Sequence, residues 1–276
     1  MASAESGHFE SGLPFNRFGT GPTHVVVFQG MQFENKPASG LTLRYLRNLY
    51  RQLEADYTIH LVTRRPGPPE GYSLRDMSND YAAMARAEFD GPLDIVGLSA
   101  GGLIAQHFAA EHPDLVRRLV LHSTAHNVSD ETRKFHVRVS DLVRRSRWWA
   151  AYAEVFAFGM PRRGAMRSSA KAVGWLTAPF GRMLLGKPSS PSDMLVTYAA
   201  LNGHDFRERL AEIKVPTLVV AGDKDPFFPP EAVRETAEGI PDAKLVLYEG
   251  VGHPASGKRF GQDLLAFLKE PEGVKS

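Results

Sequence analysis

Hydrophobic positions along this chain follow two alternating rhythms. Short apolar runs, Val25-Val26-Val27-Phe28, Leu93-Asp94-Ile95-Val96, Leu119-Val120-Leu121 and Thr217-Leu218-Val219-Val220, read as strands buried on both faces. Thr58-Ile59-His60-Leu61-Val62 is a less pure run, and Lys244-Leu245-Val246-Leu247-Tyr248 closes the series. Between these runs apolar residues recur at helical spacing. Leu43, Leu46, Leu49, Tyr50 and Leu53 mark a helix over Leu41 to Leu53. Tyr81, Met84, Ala85 and Phe89 mark one over Met77 to Phe89, and Leu264, Leu265 and Leu268 one over Phe260 to Leu268. Strands alternating with helices predict an α/β fold, a mainly parallel sheet flanked by helices on both faces. The segment from Phe9 to Phe18 is expected to add one or two antiparallel edge strands, with Gly19-Thr20-Gly21-Pro22 as a turn.

The alternation stops between about Ala125 and Asn202, where the pattern is helical throughout and punctuated by Gly159, Pro161, Gly164, Gly174 and Pro179. This predicts a helical cap, residues 126–202, inserted into an α/β core made of residues 1–125 and 203–276. Trp148, Phe156, Met160 and Met194 are its candidates for the apolar roof of a substrate-binding pocket, although most side chains of this kind form cap core. The same stretch gathers Arg133, Arg138, Arg144, Arg145, Arg147, Arg162, Arg163, Arg167 and Arg182. Their ordinary reading is a solvated face; the sharper one is a basic entrance favouring anionic or amphipathic substrates.

One strand–helix junction carries chemistry. Gly97-Leu98-Ser99-Ala100-Gly101 joins the Leu93 to Val96 run to a helical pattern from Gly102 to Ala110. A serine on so sharp a turn is the nucleophile elbow of a hydrolase. A side chain at Gly97 or Gly101 would crowd neighbouring chain, and the helix start aims N–H groups and a positive dipole end at the serine. A serine hydroxyl is a weak nucleophile and needs a general base, which in turn needs an orienting carboxylate. Two later strands end in suitable loops, Gly222-Asp223-Lys224-Asp225 and Glu249-Gly250-Val251-Gly252-His253. Loops at strand C-termini are where open α/β sheets gather functional residues.

Composition removes several alternatives. The 276 residues suit one large α/β domain or a core with an insertion, and 43% hydrophobic content builds a sizeable interior. A net charge of +2 gives no case for nucleic acid binding. Without cysteine there is no disulfide, thiolate zinc site or cysteine nucleophile. No His-Glu-x-x-His or close ligand cluster points to a metal, and no cofactor is expected. No G-x-G-x-x-G follows the first strand, so a dinucleotide-binding fold does not fit. With no apolar run of membrane-spanning length and no signal-like N-terminus, the simplest expectation is a cytoplasmic protein; a processed secreted one would read alike.

Taken in order, Gly97-Leu98-Ser99-Ala100-Gly101-Gly102, Gly222-x-x-Asp225-x-x-x-Pro229 and Gly252-His253 resemble the α/β-hydrolase superfamily, in its esterase, lipase and enol-lactonase branch. The resemblance runs from about Phe15 to Leu268. It implies a Ser99, Asp225, His253 triad, with Asp225 preferred over Asp223 because it fits the family's spacing. It also implies an oxyanion hole made by the backbone N–H of Ala100 and of Met31, in the loop after the first long strand. Relatives usually carry His-Gly there, whereas this chain has Gln29-Gly30-Met31-Gln32. Gln29 either replaces the loop's supporting hydrogen bonds or reaches towards substrate. The expected reaction is hydrolysis of a small carboxylic ester through an acyl-enzyme. Enol-lactone, C–C bond or aminopeptide hydrolysis would use the same parts, and a binding protein could retain them.

Overall fold

The computed structural model describes residues 4–159, 179, 188 and 190–271. Eight strands form one sheet in the order β1-β2-β4-β3-β5-β6-β7-β8. They are β1 (Glu5–His8), β2 (Pro14–Gly19), β3 (Thr23–Phe28), β4 (Tyr57–Val62), β5 (Leu93–Leu98), β6 (Val116–His122), β7 (Thr217–Gly222) and β8 (Ala243–Tyr248). From β4 to β8 every neighbouring pair is parallel, while β1 with β2 and β2 with β4 are antiparallel. The antiparallel pair differs from the expected placement. β1 lies wholly before Phe9, and Phe9 to Leu13 is the turn, closed by Phe9 N to Leu13 O at 3.0 Å and Gly12 N to Phe9 O at 2.8 Å.

The apolar runs fill the middle of the sheet, where both faces are covered. Along β3 side chains alternate: Val26 and Phe28 join one core, Val25 and Val27 the other. The first core is built with α2 (Leu74–Glu88), α3 (Ala100–Glu111) and α7 (Pro230–Gly239). The second is built with α1 (Gly40–Tyr50) and α8 (Lys258–Leu268). Phe28, stacked on Tyr81 at 3.9 Å between ring centres, shows the density of the first core. Burying a side chain of that size stabilises by about 1.5–3 kcal/mol. α2 starts before Met77, where the periodic pattern begins. Ser73 and Asp76 form a capping box there: Asp76 N donates to Ser73 Oγ (3.1 Å) and Ser73 N to Asp76 Oδ2 (2.9 Å).

Between β6 and β7 the described elements with regular structure are mostly helical: α4 (Asp130–Arg144), α5 (Trp148–Gly159) and α6 (Ser192–Asn202). Ser129 caps α4 by accepting from Thr132 N. Phe135 of α4 stacks on Phe158 of α5 at 4.2 Å, and His136 of α4 on Tyr198 of α6 at 4.1 Å. Their apolar interior is continuous with the first core. Among the described arginines of this stretch, Arg133, Arg138 and Arg144 pair with Asp130, Glu154 and Asp141 at the surface. Such pairs contribute little to stability. No helix among the described residues is long and apolar enough to cross a membrane.

Candidate active site

The turn from β5 into α3 holds Ser99 at φ 53° and ψ −121°, outside the region comfortable for a residue with a Cβ. Its N–H donates to His122 O (2.9 Å) on β6, and its carbonyl accepts from Gly102 N (2.8 Å). The flanking glycines are steric requirements. A Cβ on Gly101 would lie 2.0 Å from the Phe28 carbonyl oxygen, and one on Gly97 would lie 2.5 Å from Gly102 Cα. The close approach of α3 to the end of β3 is therefore possible only with glycine there.

β7 and β8 deliver two more groups. Asp225 is buried, and its Oδ1 accepts from Phe227 N (2.8 Å) and Phe228 N (3.1 Å). Its Oδ2 lies 2.6 Å from His253 Nδ1. A carboxylate facing Nδ1 fixes the proton there and leaves Nε2 as the basic nitrogen. Asp223 points elsewhere: Oδ1 accepts from Gly250 N (2.6 Å) and Oδ2 pairs with Lys224 (2.8 Å), which braces the turn. The His253 loop is anchored two residues on. Ala255 N donates to Ser123 Oγ (2.8 Å), and His122 Nε2 donates to Ala255 O (2.7 Å). Burial pushes His122 down to about 3, so the ring is neutral, and its Nδ1 accepts from Tyr50 Oη (3.1 Å).

The loop after β3 closes the other side. A Cβ on Gly30 would be 3.3 Å from Ser99 Cβ, so this backbone passes directly beside the serine. The N–H groups of Met31 and Ala100 have no hydrogen-bond acceptor among the described residues; Ala100 opens a helix, where N–H groups lack intrahelical partners. Gln29 is 1% exposed. Its Oε1 accepts from Gln32 Nε2 (2.7 Å), and Gln32 Oε1 accepts from Thr63 Oγ1 (2.7 Å). Gln29 Nε2 is buried without a partner among the described residues. Arg64, which sequence reading passes over, donates from Nη1 to Gln29 O (3.0 Å) and from Nη2 to Gly30 O (3.1 Å). No local pattern could have found it, because the contacts span 35 and 34 residues.

Ser99, His253, Gln29, Met31 and Ala100 line one cavity of about 350 Å³. Its wall is mainly apolar, with Leu46, Leu98, Phe135, Met194, Leu201 and Phe227, and Glu34, Lys36 and Tyr45 also border it. Tyr198 and His136 also line it; burial pushes His136 down to about 4, and its Nδ1 meets Asn202 Oδ1 at 2.7 Å. Of the four apolar residues singled out from the sequence, Met194 lines the cavity. Trp148 and Phe156 do not: Trp148 packs edge-on against Phe33 (6.2 Å), and α5 presents Val155 to the cavity instead. Met160 lies outside the described residues. Among the described residues no group of three or more His, Asp or Glu side chains is placed to hold a metal ion.

The fold has counterparts among known proteins. The family model for the alpha/beta hydrolase fold matches residues 60–259. A pimeloyl-[acyl-carrier protein] methyl ester esterase of Chromobacterium violaceum is 33% identical over 210 residues, covering 72% of this chain and 76% of that protein. Among solved structures, the enol-lactonase of Burkholderia xenovorans LB400 superposes with a TM-score of 0.74 at 18% identity, over 96% of this chain and 100% of the other. An esterase of Exiguobacterium antarcticum gives 0.74 at 20% identity, over 97% and 100%. Likeness at that level of identity concerns the fold. The extent of the family match, together with the curated relative, establishes that this chain belongs to the α/β-hydrolase family.

Proposed function

We propose that the protein is a serine hydrolase of small carboxylic esters, with Ser99 as nucleophile, His253 as general base and Asp225 as the acid that orients it. The observation that carries this reading is the 2.6 Å His253–Asp225 contact in the wall of a cavity that Ser99 also lines. His253 Nε2 takes the Ser99 proton as Oγ bonds to the ester carbonyl carbon. The carbonyl oxygen becomes an anion facing the unpartnered N–H groups of Met31 and Ala100, and each such donor is worth about 2.7–4 kcal/mol in the transition state. The tetrahedral species collapses, the C–O bond to the alcohol breaks, and His253 returns the proton to the departing oxygen. Water, deprotonated by His253, then cleaves the acyl-enzyme by the same steps.

The apolar lining favours a neutral acyl group, and the helices α4, α5 and α6 act in this reading as a cap over the acyl side. The similarity to a methyl ester esterase supports the ester reading. The test is a panel of p-nitrophenyl esters, lactones and amino-acid anilides, together with labelling by a fluorophosphonate. Turnover should be greatest on the esters and the label should sit on Ser99. Ser99→Ala should fold normally and lose both. Label on another serine, or turnover that survives in Ser99→Ala, contradicts the assignment.

A further inference from the structure

Arg64 follows β4 and is 1% exposed, yet no carboxylate contacts it among the described residues. Its Nε is buried without a partner among the described residues. Its sequence neighbour behaves in the ordinary way: Arg65 is half exposed and forked onto Asp80 at 2.6 Å. Asp193, an acid whose charge reaches Arg64, commits its own oxygens to Asn35 N (2.8 Å) and Gly67 N (2.7 Å). A guanidinium stays protonated in proteins, and a buried cation without a bonded anion is costly. The fold therefore maintains an unfavourable charge behind the loop that passes Ser99.

The two carbonyls that it grips explain why. Gly30 C=O and Met31 N–H belong to one planar trans peptide and point in opposite directions. Holding Gly30 O against Arg64 turns the Met31 N–H away from Arg64. Nη1 holds the preceding peptide at Gln29 O, so two successive peptides are fixed by one rigid fork. The cation also polarises the peptide whose N–H is unpartnered.

Building on the proposed serine hydrolase reading, we propose that Arg64 is a positioning residue for the oxyanion hole. It orients the Met31 N–H through the Gly30 carbonyl, and its charge, which no bonded carboxylate neutralises among the described residues, stabilises the oxyanion that forms on the substrate. Fixed dipoles and charges aimed at developing charge are the form of catalysis that needs no reorganisation during reaction.

The test compares wild type with Arg64→Met and Arg64→Lys, each first checked for folding by circular dichroism and thermal unfolding. The readouts are kcat and KM on p-nitrophenyl acetate and inhibition by phenylboronic acid, which adds to the serine as a tetrahedral anion. Arg64→Met is expected to lose roughly 10²-fold in kcat. KM should stay nearly constant, and boronate affinity should weaken alongside kcat. A merely structural arginine would lower the melting temperature or raise KM and would not weaken boronate more than ester. A folded Arg64→Met with wild-type kcat and boronate affinity overturns the proposal. Should Arg64→Met not fold, Arg64→Lys decides: a lysine keeps the charge but lacks the fork, so about a 10-fold loss of kcat is expected. Full kcat in that variant overturns the proposal equally. A wild-type protein inert to both ester and boronate counts instead against the hydrolase reading, and the role of Arg64 falls with it.

Discussion

Two aspartates lie two positions apart after β7, and their partners separate their roles. Asp225 Oδ1 accepts two backbone N–H groups, so its Oδ2 is held on His253 Nδ1. Asparagine at this position would keep its oxygen on the same two donors and turn its NH₂ towards Nδ1. The imidazole would then be driven into the other tautomer, with the proton on Nε2 where the serine proton must arrive. Asp225→Asn is therefore expected to lower kcat by roughly 10⁴-fold. Asp223 braces Gly250 and Lys224 and touches neither His253 nor the cavity. Asp223→Asn should cost little in kcat. Steady-state kinetics on one ester ranks the pair, and the reverse order would reassign the acid.

At the scale of elements, the helices between β6 and β7 meet the cavity through particular faces rather than through their aromatic content. α6 turns Met194, Tyr198 and Leu201 inward, and α4 turns Thr132, Phe135 and His136 inward. Met194 is fully buried, so Met194→Ala should enlarge the cavity at a cost of about 2–5 kcal/mol of stability. The ratio of hexanoate to acetate ester hydrolysis should rise. Trp148, which packs on Phe33 but does not itself line the cavity, is the matched control: Trp148→Ala should leave that ratio unchanged and show its effect in the melting temperature. A chain-length profile that responds to Trp148 and ignores Met194 would contradict this division of roles among the helices.

Across the whole molecule, burial strips charge from four histidines in different layers. Desolvation pushes His60, His122 and His204 down to about 3 and His136 to about 4. In the unfolded chain each titrates near ~6.5. Between these values the unfolded state binds more protons than the folded one, so acidification favours unfolding. The stabilising contribution is complete above about pH 6.5 and is lost as pH falls towards the folded values, by about 1.4 kcal/mol per pH unit for each histidine. Urea unfolding at pH 8 and pH 5 should therefore show a fall of several kcal/mol. Equal midpoints at the two pH values would mean that these histidines are hydrated or paired in the folded state.

Local physics made much of this protein readable before its fold. Continuous Val, Ile and Leu runs mark strands covered on both sides, because only a sheet buried by helices tolerates them. The elbow is legible because Gly97 and Gly101 are forced by contacts that any strand–turn–helix of this sharpness makes. Glu5–His8 escapes notice because an edge strand with one solvated face carries no apolar run. Which face of α5 meets the cavity is hidden for the opposite reason. α5, Trp-Trp-Ala-Ala-Tyr-Ala-Glu-Val-Phe-Ala-Phe-Gly, is apolar around most of its circumference, so no periodicity prefers Val155 over Trp148 or Phe156. Arg64 and His136 are beyond any local pattern. Their partners are carbonyls and an asparagine 34 to 66 residues away, and a cation reads as surface until the chain folds a loop over it. Sequence alone thus determined the sheet and the elbow, since these follow from burial and backbone sterics near each residue. Tertiary structure decided which aspartate meets His253, which side chains of α4, α5 and α6 face the cavity and that a buried guanidinium stands behind the Met31 peptide. Each of those depends on distances between segments far apart in the chain.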